Sequence, residues 1–313
     1  MPPHRPSKDQ LATRNFLPIL KPNKTKIQKV GFIANPDKVV RRDIVRRAAS
    51  LVREAGRQVL ADPDTSRFAG SDTLTLPDSP ELASVCDLLL VFGGDGTMLR
   101  VARETASKKT PIMGVNTGSL GFLTATPANE LEVALKKIWQ DRYSIDRMPM
   151  LEASTQQEEG PQKVVAMNDV VISRGAIPRL IELEVTVDGE KLTRYRCDGL
   201  IVSTPAGSTA YSLAAGGAVV TPNADVFTLT PICPHTLSNR SVIISLNARI
   251  EIIVHKHRAE TFLSADGQVQ AELFPSDRVI LHRSRQRARL VRLDNRSFFA
   301  TLRHKLNWSG SSV

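Results

Sequence analysis

Cysteine is scarce in this 313-residue chain: only Cys86, Cys197 and Cys233 occur, far apart and odd in number. They form neither a disulfide framework nor a paired metal motif, which favours a reducing, cytoplasmic setting. Long apolar runs are missing, so no segment reads as a membrane-spanning helix. Met1 to Lys29 lacks the apolar stretch of a secretory signal. Aromatic residues make up only 5%, which removes the rings interleaved with basic residues on which single-stranded nucleic acids stack. The net charge of +10 does not restore that reading. Seven Lys or Arg against Asp9 lie in residues 1–29, and eight against Asp294 in 283–313, leaving the middle slightly acidic. Basic charge sits at the two ends and not across a face, so neither a nucleic-acid nor a membrane partner is expected.

What is present is a globular composition, with 41% hydrophobic residues, enough for a proper core. The run Val30 to Ala34 predicts a strand, and the apolar spacing from Val40 to Val52 predicts a helix over 38–55. Residues 58–61 read as a strand and the Pro/Asp/Ser-rich 62–80 as a loop. Leu88 to Phe92 is apolar on consecutive residues, as in a strand buried on both faces of a parallel sheet. A helix over 98–106, a strand over 111–115 and a helix over 128–140 complete a doubly wound α/β domain. From about 150 the pattern turns β-rich, with strands expected over 163–173, 180–187, 191–196, 199–204, 226–230, 241–246, 249–255, 278–282 and 287–293. Val187-Asp188-Gly189-Glu190 and Ala265-Asp266-Gly267-Gln268 read as Asp-Gly hairpin turns. The chain therefore divides into a basic, Pro-rich tail (1–28) expected to be flexible, an α/β domain (29–148), a β-rich domain (149–296), and a C-terminal helix and tail (297–313).

Gly93-Gly94-Asp95-Gly96-Thr97 follows the buried strand and opens a helix, the place where an open α/β sheet binds ligands. Glycines let the backbone approach a phosphate, and the helix N-terminus aims free N–H groups at it. A carboxylate in such a turn repels phosphate, so Asp95 needs another task, such as accepting a proton or holding a metal. The plain alternative is a strand-turn-helix connection that Asp95 caps. Asn116 to Leu123 supplies a second Gly-rich loop at the same sheet end. Asn168-Asp169 sets an amide beside a carboxylate, a pair able to hold vicinal ribose hydroxyls, or else a simple Asx turn. Asp198 through Gly217 is dense in small and hydroxyl residues around Tyr211, whose ring could stack on a base. Its alternative is a close-packed strand and helix with Tyr211 as a wedge. A Walker loop, a G-x-G-x-x-G fingerprint, histidines at metal spacing and a nucleophile elbow are all missing.

Taken together, these segments and Pro234 to Asn239 resemble the NAD kinase family over roughly 30–306. The 93–97 turn alone is shared with diacylglycerol, sphingosine and phosphofructokinases; the later segments discriminate. The resemblance implies a nucleotide-binding α/β domain, a β-rich NAD-binding domain, and a cleft site in which ATP phosphorylates the adenosine ribose 2′-hydroxyl of NAD to give NADP. It also implies a divalent cation, usually Mg²⁺ held through the ATP phosphates, and a cytoplasmic homo-oligomer (dimer or tetramer). Asp95 matches the family's catalytic aspartate, with Gly96 against the dinucleotide. Arg100 matches a basic contact to substrate or phosphate, and Asn168 and Asp169 match the ribose pair, where many relatives carry Glu in place of Asp169. Arg179 matches a position that varies between His and Arg. Arg196 and Asp198 match an Arg-x-Asp near the nicotinamide end; Arg196 is similar to the ATP-dependent version that prefers NAD over NADH. Thr209, Ala210, Tyr211, Ser212, Leu213 and Ala214 match the adenine-side loop, and Gln268 a late contact. Ala206 departs from the Ser or Thr of many relatives. A lipid kinase sharing the turn would need a hydrophobic acceptor pocket, whereas 198–217 is small and polar. A non-catalytic NAD(P)-binding regulator would have no need of an intact Asp95.

Overall fold

The computed structural model describes residues 27–35, 42–118, 121–124, 126–156, 162–235, 240–255, 260–293 and 297–308. The expected tail over 1–28 lies outside them except for Ile27 and Gln28, as do 236–239 of the late motif.

Five strands pair in parallel: β1 (Lys29–Ala34), β2 (Gln58–Ala61), β3 (Leu74–Thr75), β4 (Leu88–Gly93) and β5 (Ile112–Asn116). Their spatial order is β3-β2-β1-β4-β5, so the sheet reverses direction of travel between β1 and β4, and ligands bind beyond the strand ends at such a point. The helices are α1 (Arg42–Glu54), α2 (Pro63–Ala69), α3 (Ser79–Val85), α4 (Asp95–Thr105) and α5 (Leu131–Trp139). Consecutive apolar residues in β4 serve two layers, as expected. Leu88, Leu90 and Phe92 pack with α1 and α5, whereas Leu89 and Val91 pack with Met98 and Val101 of α4. Burial on both faces leaves no room for a polar residue until Gly93, where the strand must end.

The segment 62–80, expected as a loop, instead holds α2 and the start of α3. The Asp and Pro residues that suggested a loop are helix-start signals. Asp62 accepts a hydrogen bond from Thr65 N and Asp78 from Glu81 N, each with proline in the first turn.

After β6 (Thr126–Pro127) come β7 (Ser144–Gln156), β8 (Lys163–Ala166), β9 (Asp169–Arg174), β10 (Ile181–Val187), β11 (Glu190–Cys197) and β12 (Gly199–Ser203). The short α6 (Tyr211–Ala214) leads to β13 (Val226–Ile232), β14 (Val242–Ser245), β15 (Ile250–Val254), β16 (Thr261–Ala265), β17 (Gln268–Leu273), β18 (Arg278–Arg292) and α7 (Phe298–Lys305). β18 absorbs two expected strands into one, bent by a bulge between Arg283 and Arg287, and touches β5 at Leu290. It thereby carries the α/β sheet on into β15, β10 and β11. β7, not foreseen, pairs with β18 along its length and runs across the 148/149 position. The second sheet, β14-β13-β12-β9-β16-β17, packs on the first through Val170, Ile172, Leu183, Leu200, Phe227 and Ile252. Both Asp-Gly turns form as expected: Asp188, Gly189, Asp266 and Gly267 all have positive φ, as a type I′ hairpin turn requires.

The expected strand over 163–173 is two strands in different sheets. β8 pairs with β7 and β9 with β12, so the chain changes sheet at Met167-Asn168. That crossing places Asn168 where no ladder claims its side chain.

If Asp78 caps α3, Asp78→Ala should lower stability by about 0.5–2 kcal/mol in equilibrium urea unfolding. Asp72→Ala, at an exposed turn residue six positions earlier, should stay within about 0.5 kcal/mol. Equal losses for the two would contradict the capping assignment.

Candidate active site

β4 and β5 lie in register at Gly93 and Asn116, so the two Gly-rich loops leave the sheet side by side. Asp95 does not cap its helix: Gly94 is the N-cap, without a side-chain bond. The Asp95 carboxylate instead reaches the neighbouring loop. Oδ2 accepts from Phe122 N at 2.8 Å, and Oδ1 accepts from Leu123 N and Thr124 N, both at 3.1 Å, and from Thr124 Oγ1 at 3.2 Å. The loop is shaped further by Asn116, whose Oδ1 accepts from Gly118 N and whose Nδ2 donates to Thr124 Oγ1. A Cβ at Gly121 would collide with the Asp95 carboxylate, so glycine is what allows this approach.

The sheet change at Met167-Asn168 comes to the same place. Ser203, the last residue of β12, pairs with Asp169, the first of β9. Thr204 N donates to Asn168 O and Thr204 Oγ1 to Met167 O. A Cβ at Gly207 would strike the Asn168 carbonyl, which holds the 198–217 segment tight against the pair. The hydroxyls that made this segment look like a binding loop are largely spent on hydrogen bonds within the protein. Ser208 Oγ donates to Pro205 O and accepts from Val220 N, and Ser212 Oγ lies 3.0 Å from Thr230 Oγ1, both side chains fully buried.

A cavity of about 380 Å³ opens between these parts, lined by Asp95, Phe122, Leu123, Asn168, Ala206, Thr209, Ala210, Leu213, Lys305 and Leu306. Among the expected site residues, Asp95, Asn168, Thr209, Ala210 and Leu213 are thus brought together. Phe122 and the end of α7 join them without having been singled out; the Phe122 ring lies 6.3 Å from that of Phe298. Tyr211, 48% exposed, and Ala214, also exposed, are not among the residues that line it. Gly96 is exposed with open space around it, and Arg100 is paired with Glu104 along α4. Arg196 pairs with Glu182 on the surface, Asp198 with Arg174 at 2.7 Å, and Arg179 lies in an exposed loop. Gln268 Oε1 accepts from Arg103.

Two features distinguish the Asn168-Asp169 pair from an ordinary Asx turn. Asn168 Oδ1 is buried with no partner among the described residues, an acceptor that a ligand hydroxyl or amine would satisfy. Asp169 is 4% exposed, and burial, with the nearby Asp266 charge second, pushes its carboxyl up to about 7. Between about pH 4 and pH 7 the folded chain therefore keeps a proton that the unfolded chain releases. Stability falls as pH rises through that window and stays low above it. Asp169→Asn should melt higher than wild type at pH 8, with the gap closing toward pH 4. A pH-independent difference in melting temperature would contradict this.

Comparison with known proteins agrees with this geometry. Residues 30–143 match the model of the ATP-NAD kinase N-terminal domain and 167–293 that of the C-terminal domain. The chain is 39% identical over 285 residues to an NAD kinase of Moorella thermoacetica, covering 91% of each, and 42% identical over 258 residues to one of Geotalea daltonii, covering 81% of this chain and 89% of that one. A yeast NADH kinase solved with NADH is similar at TM-score 0.84 and 27% identity, over 93% of this chain and 90% of that one. An NAD kinase from Archaeoglobus fulgidus solved with ATP is similar at TM-score 0.71 and 28% identity, over 90% and 100%. With the paired loops, the sheet-changing Asn168-Asp169 and matches across both halves, this chain belongs to the NAD kinase family.

Proposed function

We propose that the chain transfers the γ-phosphoryl group of ATP to the adenosine ribose 2′-hydroxyl of NAD, giving NADP, with Asp95 as general base. The observation that carries this reading is that Asp95, Asn168 and the Thr209-Ala210-Leu213 wall line one cavity at the carboxyl end of β4. Asn168 Oδ1 and the Asp169 carboxyl hold the ribose hydroxyls. Thr209, Ala210 and Leu213 offer a shallow wall for adenine, and Phe122 rather than Tyr211 supplies the ring that faces it.

Asp95 suits the part of proton acceptor. A carboxylate has about four acceptor positions. Oδ1 is crowded by three donors, while Oδ2 has one, leaving a lone pair for the 2′-hydroxyl proton. The loop amides fix the carboxylate's orientation before substrate arrives. Phosphoryl transfer is dominated by positioning and charge neutralisation, so a strongly basic acceptor is not required.

Among the described residues, no group of three His, Cys, Asp or Glu side chains could hold a metal ion. One carboxylate beside phosphate oxygens fits a hard divalent cation such as Mg²⁺ that arrives on the triphosphate, where it would neutralise charge. A homo-oligomer, dimer or tetramer, in the cytoplasm completes the reading. Exposed Ile243 on the edge strand β14 and Phe274 beyond β17 provide apolar surface for assembly. No helix of the described residues is long and apolar enough to cross a membrane.

Asp95→Asn should lower turnover of NAD to NADP by about 10²–10⁴-fold, with ATP and NAD dissociation constants changing far less. A mutant that turns over at near wild-type rate would sink the base assignment. For the adenine contact, Phe122→Ala should weaken NAD binding by about 1–3 kcal/mol in calorimetry, and Tyr211→Ala by less than about 0.5 kcal/mol. The reverse order would return the stacking role to Tyr211.

A further inference from the structure

Asp266 lies in the type I′ turn between β16 and β17, and its side chain is fully buried. Its carboxylate accepts from three consecutive amides: Met167 N at 3.0 Å, Asn168 N at 2.7 Å and Asp169 N at 3.2 Å. The fourth donor is Arg103 Nη1 at 3.0 Å, from α4. The other arm of the same guanidinium, Nη2, donates to Gln268 Oε1 at 2.6 Å. Four donors fill a carboxylate, and no neutral side chain of this size could replace it, because an amide would turn a donor toward Met167 N or Arg103.

α4 begins with Asp95, and the three amides lead into Asn168-Asp169. The Arg103–Asp266 pair therefore joins the helix that carries the proton acceptor to the turn that carries the ribose grip. We propose that Arg103 and Asp266 are positioning residues that set the spacing between Asp95 and the ribose held by Asn168 and Asp169. The Asp266 carboxylate also stands close enough to the buried Asp169 to disfavour its ionisation. Arg103 supplies the cation in a planar fork, which holds direction as well as distance. Gln268 contributes by orienting that fork.

The proposal rests on the reading of Asn168 and Asp169 as the ribose grip. NAD affinity of Asp169→Asn tests that reading separately: if it is unchanged, the ribose assignment fails whatever Arg103 does. For the clamp, Arg103→Met leaves the three amide bonds to Asp266 in place and removes only the tie to α4. At saturating ATP and NAD its kcat should fall about ten- to a hundredfold, the scale of an ångström-sized misplacement. Its NAD dissociation constant, measured by calorimetry, should stay within about threefold of wild type. Arg103→Lys keeps a cation near Asp266 but loses Gln268, and should recover most of that kcat. A kcat within about twofold of wild type in Arg103→Met would overturn the proposal. Equal factors in kcat and NAD affinity would also overturn it, by making Arg103 a binding residue. Should Arg103→Met not fold, Arg103→Gln, which also removes the cation and the fork, decides: a severalfold lower kcat with unchanged NAD affinity supports positioning, and a kcat within about twofold of wild type makes the pair structural.

Discussion

Hydrogen bonds from consecutive backbone amides to a single aspartate carboxylate hold the cleft together. Asp95 accepts from residues 122–124 and Asp266 from residues 167–169, each with one further donor, Thr124 Oγ1 and Arg103 respectively. Loops have few other means of satisfying successive N–H groups that all point one way. A carboxylate meets the need at one stroke, because it is acceptor-only and charge-assisted bonds are the stronger kind. The difference between the two lies in exposure. Asp266 is sealed away, whereas Asp95 faces the cavity, where its Oδ2 still has room for another proton.

Asp169 shows the opposite situation. No side-chain hydrogen bond reaches its carboxylate among the described residues, and it sits beside Asp266, so burial is uncompensated and its affinity for a proton rises. Asn168 Oδ1 is likewise unsatisfied. In the proposed function, a ribose would bring hydroxyl donors to both groups and relieve them. The surrounding cores bear the local cost of burying the pair. Asn168 and Asp169 stand at the end of a sheet whose buried face includes Val170, Ile172 and Leu200.

Much of this was legible in the sequence. The consecutive apolar residues of β4, the Gly-rich turn after it and the two Asp-Gly turns carry local chemistry strong enough to fix local structure. Elsewhere local signals misled. Asp62-Pro63 and Asp78-Ser79-Pro80 read as loop although they start helices, because caps and turns share residue types. The density of hydroxyls over 198–217 reads as a binding loop, but many of them bond to neighbouring backbone and buried side chains, which only the packed structure reveals. Arg103 and Asp266 lie 163 positions apart, and nothing in either residue's neighbourhood announces the other. Phe122 carries no signal of its own in a loop whose glycines dominate its pattern. Long-range partners and the direction a side chain faces belong to the tertiary fold.

In the proposed function, the cleft between the 93–97 turn and Asn168-Asp169 directs phosphate to one hydroxyl of NAD. Phosphorus NMR of the product formed by the wild-type protein from ATP, NAD and Mg²⁺ shows which hydroxyl is phosphorylated. The expected product is a phosphomonoester on the adenosine 2′-oxygen, with one ADP released for each. ADP released without a phosphorylated dinucleotide, or phosphate on any other hydroxyl, would contradict it.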